Sequence, residues 1–192
     1  LAYAMNGADL PMLNGYPVRL VVPGYYGTYW VKHLADIKVL EQEFDGFWMQ
    51  KAYRIPDNDC ACTPPGKAPE KTRPIGRYNV RSFITSLAEG ARVARGKPVQ
   101  VRGIAFDGGK GIREVQFSSD GGKTWQAAKL GKDMGRYSFR EWHADFTPKA
   151  AGDYTLKVRA TNAAGDTQPL DALWNPAGYM RNVVEAVRVT AA

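Results

Sequence analysis

From residue 79 onward, apolar and polar side chains alternate in short bursts. The segments NVRSFITS (79–86), PVQVRGIAF (98–106), IREVQFSS (112–119), TWQAAKL (124–130), RYSFREWHADF (136–146), DYTLKVRATN (153–162) and NVVEAVRVT (182–190) each carry this period of two. Such a period places successive side chains on opposite faces of a strand. Turn-forming stretches separate the segments: EGARVARGK, DGGKG, SDGGK, GKDMG, PKAAG and AAGDTQP. In one of them Asp120-Gly121-Gly122 signals a hairpin, because glycine supplies the positive φ that a tight turn requires. Several short alternating strands at this spacing predict an antiparallel β-sandwich.

Seven strands fit an immunoglobulin-like sandwich, although the Cys…Trp…Cys pattern of antibody domains is absent. Residues 1–78 read differently. VRLVV (18–22) is uniformly apolar apart from Arg19 and predicts a buried strand, and ADIKVLEQ (35–42) alternates and predicts a second. Residues 54–77 hold five of the 12 prolines and both cysteines, the composition of a linker or extended surface loop. The expected division is therefore 1–78 and 79–192. DALWNPAGYMRN (171–182) lacks alternation. Its aromatics, Pro176 and Gly178 predict an ordered excursion that contacts the first part of the chain.

The 26 Lys+Arg against 19 Asp+Glu leave a net charge of +7. Residues 1–79 carry 9 basic and 8 acidic groups, a net +1; residues 80–192 carry 17 and 11, a net +6. Most of this excess reads as a solvated basic surface, and it would also favour an anionic substrate or an acidic protein partner. Nucleic acid is not expected, since the basic residues alternate along strands and never cluster. No apolar run approaches the roughly 20 residues that cross a bilayer. The chain opens at Leu1 rather than Met, and that residue is taken as a cut point. Cys60 and Cys62, spaced i,i+2 with no nearby histidine, predict neither a zinc set nor an easy disulfide, and two unpaired thiols are expected.

No complete catalytic set is present: His33 and His143 are isolated, and no nucleophile elbow, metalloprotease motif or phosphate loop occurs. The stretch GYPVRLVVPGYYGTYWVKHL (15–34) is the strongest local candidate. A guanidinium in a buried strand needs an anion or acceptors, and Lys32 follows an aromatic, glycine-interrupted turn. A planar, anionic ligand would satisfy both cations; pairing of Arg19 with an aspartate of the same fold, with the rings in a core, would serve equally well. Tyr53, beside Arg54 in FWMQKAYR (47–54), is a second candidate, as a phenol able to orient an oxyanion, or else as a rim residue.

Four stretches, in order, carry a likeness that spans the chain: YAMNGADLPMLNGYPVRLVVPGYYGTYWVKHL, FWMQKAYR, SSDGGKTWQAAKL and LWNPAGYMRN. Together they resemble the sulfite oxidase family of molybdenum enzymes, especially bacterial sulfite dehydrogenases that pass electrons to a c-type cytochrome. The resemblance implies a mainly β fold: a C-terminal immunoglobulin-like β-sandwich (79–192), the dimerisation domain, preceded by the end (1–78) of an α+β sulfite-oxidase-type molybdopterin domain. It implies molybdopterin as cofactor, with Asn14, Arg19, Trp30, Val31 and Lys32 in contact with it. Asn14 stands where animal members have histidine. Tyr53 matches the tyrosine beside the metal. Ala177 occupies the position of a family arginine directed at the sulfite site, and Arg181, four residues on, is the candidate replacement.

The same resemblance implies oxidation of sulfite to sulfate, electrons delivered to cytochrome c or a haem c subunit, a possible homodimer through the sandwich, and a periplasmic location. The family's molybdenum-ligating cysteine lies in an earlier part of the domain, matched by neither Cys60 nor Cys62, so this chain alone is expected to be inactive. Sulfane dehydrogenases share both domains and are an alternative within the family. Nitrate reductases are disfavoured because no haem or flavin domain follows RVTAA. Outside the family, a non-catalytic sandwich that mediates subunit association is the rival.

Overall fold

In the second half of the chain, the apolar members of each alternating strand meet in one core between two sheets. The computed structural model describes residues 1–192 and divides into two compact units, Leu1–Tyr78 with Leu173–Met180, and Asn79–Ala172 with Arg181–Ala192. The first unit holds two short antiparallel pairs: β1 (Ala4–Met5) with β2 (Ala8–Asp9), and β3 (Arg54–Pro56) with β4 (Thr72–Pro74). The second contains β5 (Arg81–Ile84), β6 (Ala91–Val93), β7 (Val99–Phe106), β8 (Ile112–Ser118), β9 (Gln126–Ala127), β10 (Lys129–Leu130), β11 (Arg140–Phe146), β12 (Gly152–Asn162) and β13 (Ala186–Ala191). The fold is mainly β. No helix is long and apolar enough to cross a membrane.

One sheet of the second unit runs β10-β11-β7-β5 and the other β6-β13-β12-β8-β9. Between them Val101, Trp142 and Phe146 of the first sheet pack with Val115, Phe117, Leu156, Val158 and Val189 of the second, all buried. This is a β-sandwich whose buried positions follow the alternation in the sequence. Register is pinned at Gly103, which lies opposite both Trp142 and Ile84. A Cβ there would sit 2.1 Å from the Phe83 carbonyl oxygen and 2.3 Å from Trp142 Cζ2, so the indole lies over a position only glycine can occupy. The Trp142 indole N–H donates to Ser82 Oγ at 2.9 Å, and that hydroxyl donates to the Ile104 carbonyl at 2.8 Å. A buried indole nitrogen is thereby satisfied.

The hairpin predicted at Asp120 joins β8 to β9. The Asp120 carboxylate accepts from the backbone N–H groups of Lys123 and Thr124, from Thr124 Oγ1 at 2.6 Å and from Ser118 Oγ at 2.7 Å. These donors, led by the Thr124 hydroxyl, hold its pKa well below the usual carboxylate range. The Trp125 indole follows, with Arg159 stacked 4.5 Å from its centroid.

Several expected elements differ. TWQAAKL is two short strands, because the chain passes from one sheet to the other at Ala128: β9 pairs with β8 and β10 with β11. ARV, expected as turn, is β6 and pairs in parallel with β13. Only the second half of NVVEAVRVT is strand; before it, Val183 and Val184 are buried in irregular chain. In the first unit VRLVV is half-buried chain with a single bridge, Ala2 to Arg19, and only Leu20 N and Val18 O pair with the 31–34 segment, so no ladder forms. Residues 35–42 form no strand, and Ile37, Val39 and Leu40 are exposed, Val39 at 98%.

Cys60 and Cys62 form a disulfide, not the two thiols expected. Ala61, at φ 49°, turns the chain so that the two Cα atoms come within 5.1 Å, inside the span a disulfide bridges. Asn58 fixes the turn: its side-chain oxygen accepts from Cys62 N at 3.1 Å and its amide donates to Cys62 O at 2.9 Å.

Two outcomes follow from this packing. Ser82→Ala should lower stability by about 1–3 kcal/mol in urea unfolding, because it strands the buried Trp142 N–H; a change inside about 0.5 kcal/mol would contradict that role. A carboxylate with a depressed folded pKa contributes stability above its unfolded pKa, which is lost as pH falls through the folded value. Unfolding curves collected from neutral pH to below about pH 4 should therefore fall more steeply for wild type than for Asp120→Asn. Parallel curves would remove Asp120 from the acid sensitivity.

Candidate functional site

Around Gly15 three segments of the first unit converge. Met12–Asn14 form one 3₁₀ turn, which Gly15 ends at φ 112°. Alongside it the chain at 18–20 runs beside 31–34, joined by Leu20 N to Val31 O at 2.8 Å and Leu34 N to Val18 O at 2.9 Å. Gly15 is buried, and a Cβ on it would lie 3.1 Å from Arg19 Cβ and 3.2 Å from Lys32 Cα. The missing side chain lets the stems of two cations approach the same turn from either side.

Both cations donate into that turn. Arg19 Nη1 reaches the Asn14 carbonyl at 3.0 Å and Lys32 Nζ the Leu13 carbonyl at 2.7 Å. The Arg19 guanidinium also lies 5.6 Å from the centroid of the Trp30 ring, whose N–H donates to the Val22 and Tyr25 carbonyls. Arg19 Nε is buried with no partner. A buried guanidinium N–H without an acceptor is rare and costly, and an anion would satisfy it. Of the two readings of Arg19, pairing with an aspartate is not what the structure holds: its partner is a carbonyl. Asn14, Arg19, Trp30 and Lys32 are thus brought together. Val31 takes part through its backbone, with its side chain exposed.

The rings of the aromatic turn are occupied elsewhere. Tyr25 packs edge-on to Tyr29 at 5.1 Å and lies under Arg77 at 4.8 Å. The Tyr29 hydroxyl donates to the Ile75 carbonyl, and burial, with Tyr25 beside it, raises its pKa. Both rings are half-buried and packed against their own unit. Sequence reasoning passed over Gly15, whose positive φ and tight surroundings have only the NG dipeptide as a signal. The isolated His33 also lies here. Its Nδ1 lies 2.7 Å from the Tyr16 carbonyl, at the rim of the same turn.

Tyr53 closes a single π-helical turn, Trp48–Ala52. Its ring stacks on Trp48 at 5.3 Å and meets Tyr179 edge-on at 5.8 Å, so the 173–180 segment reaches this tyrosine within one unit. Arg54 does not assist it: the guanidinium donates to Met49 O at 3.0 Å, Thr72 Oγ1 at 2.8 Å and Thr72 O at 2.6 Å. Arg181 belongs to the second unit, where Glu185 Oε1 accepts from Arg181 Nη1 at 2.5 Å and from Arg81 Nη2 at 2.8 Å. No group of three His, Cys, Asp or Glu side chains is placed to hold a metal.

A family described as the oxidoreductase molybdopterin binding domain matches residues 1–48, and the Mo-co oxidoreductase dimerisation domain matches residues 72–192. The chain belongs to the sulfite oxidase family of molybdenum enzymes. Mitochondrial sulfite oxidase of Macaca fascicularis is 34% identical over 203 residues, covering 100% of this chain and 36% of that protein. Sulfite oxidase of Arabidopsis thaliana is 33% identical over 197 residues, covering 94% and 48%. The sulfane dehydrogenase SoxCD of Paracoccus pantotrophus superposes over 97% of this chain and 47% of its own, with a TM-score of 0.82 and 26% identity. The chain therefore spans about a third to a half of the length of these relatives.

Proposed function

We propose that the chain is the C-terminal portion of a sulfite-oxidising molybdenum enzyme, and that its first unit grips the phosphate-bearing tail of the molybdopterin. The observation that carries this is the turn around Gly15, where two cations converge and one buried guanidinium N–H has no acceptor. An anionic tail fits that donor set. Arg19 would bind it through Nε, Lys32 through the ammonium hydrogens not used by Leu13 O, and Asn14 through its amide, with Trp30 holding the guanidinium plane.

The bound cofactor would supply two-electron oxidation of sulfite to sulfate. Tyr53 would orient the substrate oxyanion through its phenol, its ring kept in place by Trp48 and Tyr179. Arg181 would lend positive charge to the dianion. Glu185 is shared between Arg181 and Arg81, so one carboxylate offsets two guanidinium groups and the cluster keeps a net positive charge.

In the complete enzyme the rest of the molybdopterin domain would cover the apolar side chains exposed in the first unit, among them Val39, Phe44, Phe47 and Trp48. The immunoglobulin-like sandwich would form a homodimer. Electrons would pass to a cytochrome c or haem c subunit in the periplasm. The likeness to SoxCD over nearly the whole chain favours one second reading, a sulfane dehydrogenase, which would use the same cofactor grip.

In the full-length enzyme, Arg19→Ala should reduce bound cofactor at least tenfold, the loss of one charge-assisted contact and its buried partner, while turnover per molybdenum changes little. Equal cofactor content in variant and wild type would remove Arg19 from the grip. Tyr53→Phe should keep its molybdenum and lose about tenfold or more in kcat/KM for sulfite. Unchanged kinetics would remove Tyr53 from the substrate site.

A further inference from the structure

The loop between β3 and β4 carries a feature that oxidation of sulfite at a metal does not use. The Cys60–Cys62 disulfide spans three residues, with Cys60 exposed and Cys62 half-buried. Behind Cys62 lies a cavity of about 570 Å³ lined by Asp57, Thr63, Lys67, Glu70 and Lys71 as well. Asp57 is paired with Arg73 at 3.4 Å, which leaves Lys67 and Lys71 against the single carboxylate of Glu70 in the charge balance of the lining. The two cysteines are therefore unlike: Cys60 is exposed, and Cys62 lines a cavity whose wall also carries two lysines, whose positive charge favours a thiolate.

We propose that this disulfide is a reversible capture site for sulfite. The sulfite sulfur lone pair forms a bond to Cys60 Sγ, and the Cys60–Cys62 bond breaks with its electron pair leaving on Cys62. The products are an S-sulfonate on Cys60 and a thiolate on Cys62. The sulfite sulfur is oxidised, the Cys62 sulfur is reduced, and no other reactant is needed. Attack at a disulfide is fastest at the accessible sulfur and when the departing thiol has a low pKa. Both conditions select Cys60 as the site of attack and Cys62 as the leaving group.

Asn58 makes the capture reversible. Its two hydrogen bonds hold the backbone of Cys62 in the turn whether or not the sulfurs are joined. The thiolate stays beside the Cys60 sulfonate at high effective concentration, ready to expel sulfite and restore the disulfide. Asp59, next to Cys60, opposes the approach of a dianion and sets a brake on the forward step.

The proposal rests on the sulfite reading for the presence of sulfite, and its chemistry is independent of molybdenum. Its test is mass spectrometry of the full chain incubated with sulfite near neutral pH, with oxidised glutathione in the same tube as a reactive standard. The expected product gains one sulfite, placed on Cys60 by fragmentation, with Cys62 open to alkylation. The adduct should disappear when sulfite is removed without added reductant. Lys67→Ala with Lys71→Ala should slow its formation on the order of three- to tenfold, and Asp59→Asn should speed it. Cleavage of glutathione disulfide with no adduct on the protein would overturn the proposal, as would an adduct confined to Cys62 or one that persists after sulfite is removed. The readout is a peptide mass, so an enzyme inactive towards sulfite can still form the adduct. Absence of the adduct leaves the roles of Arg19 and Tyr53 untouched.

Discussion

Two cations held against one three-residue turn are the constraint on which the first unit depends. Gly15 permits it, because a side chain there would meet the stems of both Arg19 and Lys32. Carbonyl oxygens of Leu13 and Asn14 take one donor from each cation, which orients the groups without neutralising them. Charge concentrated in this way and only partly hydrogen-bonded is stable when an anion joins it. The backbone bonds between residues 18–20 and 31–34 and the Trp30 ring beside the Arg19 guanidinium hold these two side chains at the turn. The sandwich of the second unit rests on a different device, an indole laid over a glycine and tied to a buried hydroxyl.

The sandwich was legible because its strands bury one face and expose the other, so period two is written directly into the residues. Where a strand is three residues or fewer, that signal fails. ARV could not be told from its flanking turn, and TWQAAKL hid a passage between sheets that only the two partner strands reveal. In the first unit, hydrophobicity misled. VRLVV has the composition of a buried strand, yet its neighbours in space are short irregular segments. Residues 35–42 alternate without any strand beside them to complete a ladder.

The site divides in the same way. Arg19 and Lys32 could be singled out because charge inside an apolar run is conspicuous, and the family likeness assigned them one ligand. Their common meeting point at Gly15 was not visible, since close approach to a missing Cβ depends on three segments separated in the chain. Nor was the Cys60–Cys62 bond visible. It depends on Ala61 adopting a left-handed conformation that alanine rarely takes and on a clamp from Asn58. Arg54 beside Tyr53 suggested a cooperating pair, but the arginine instead ties the π-helical turn to β4.

The central claim is that the turn around Gly15 holds the anionic tail of a molybdenum cofactor. Elemental analysis of the full-length protein tests it most directly. Molybdenum and cofactor phosphorus should co-purify in a constant ratio with the folded protein. Folded protein that carries neither element, from cells able to make the cofactor, would contradict the account and favour a sandwich that only associates subunits.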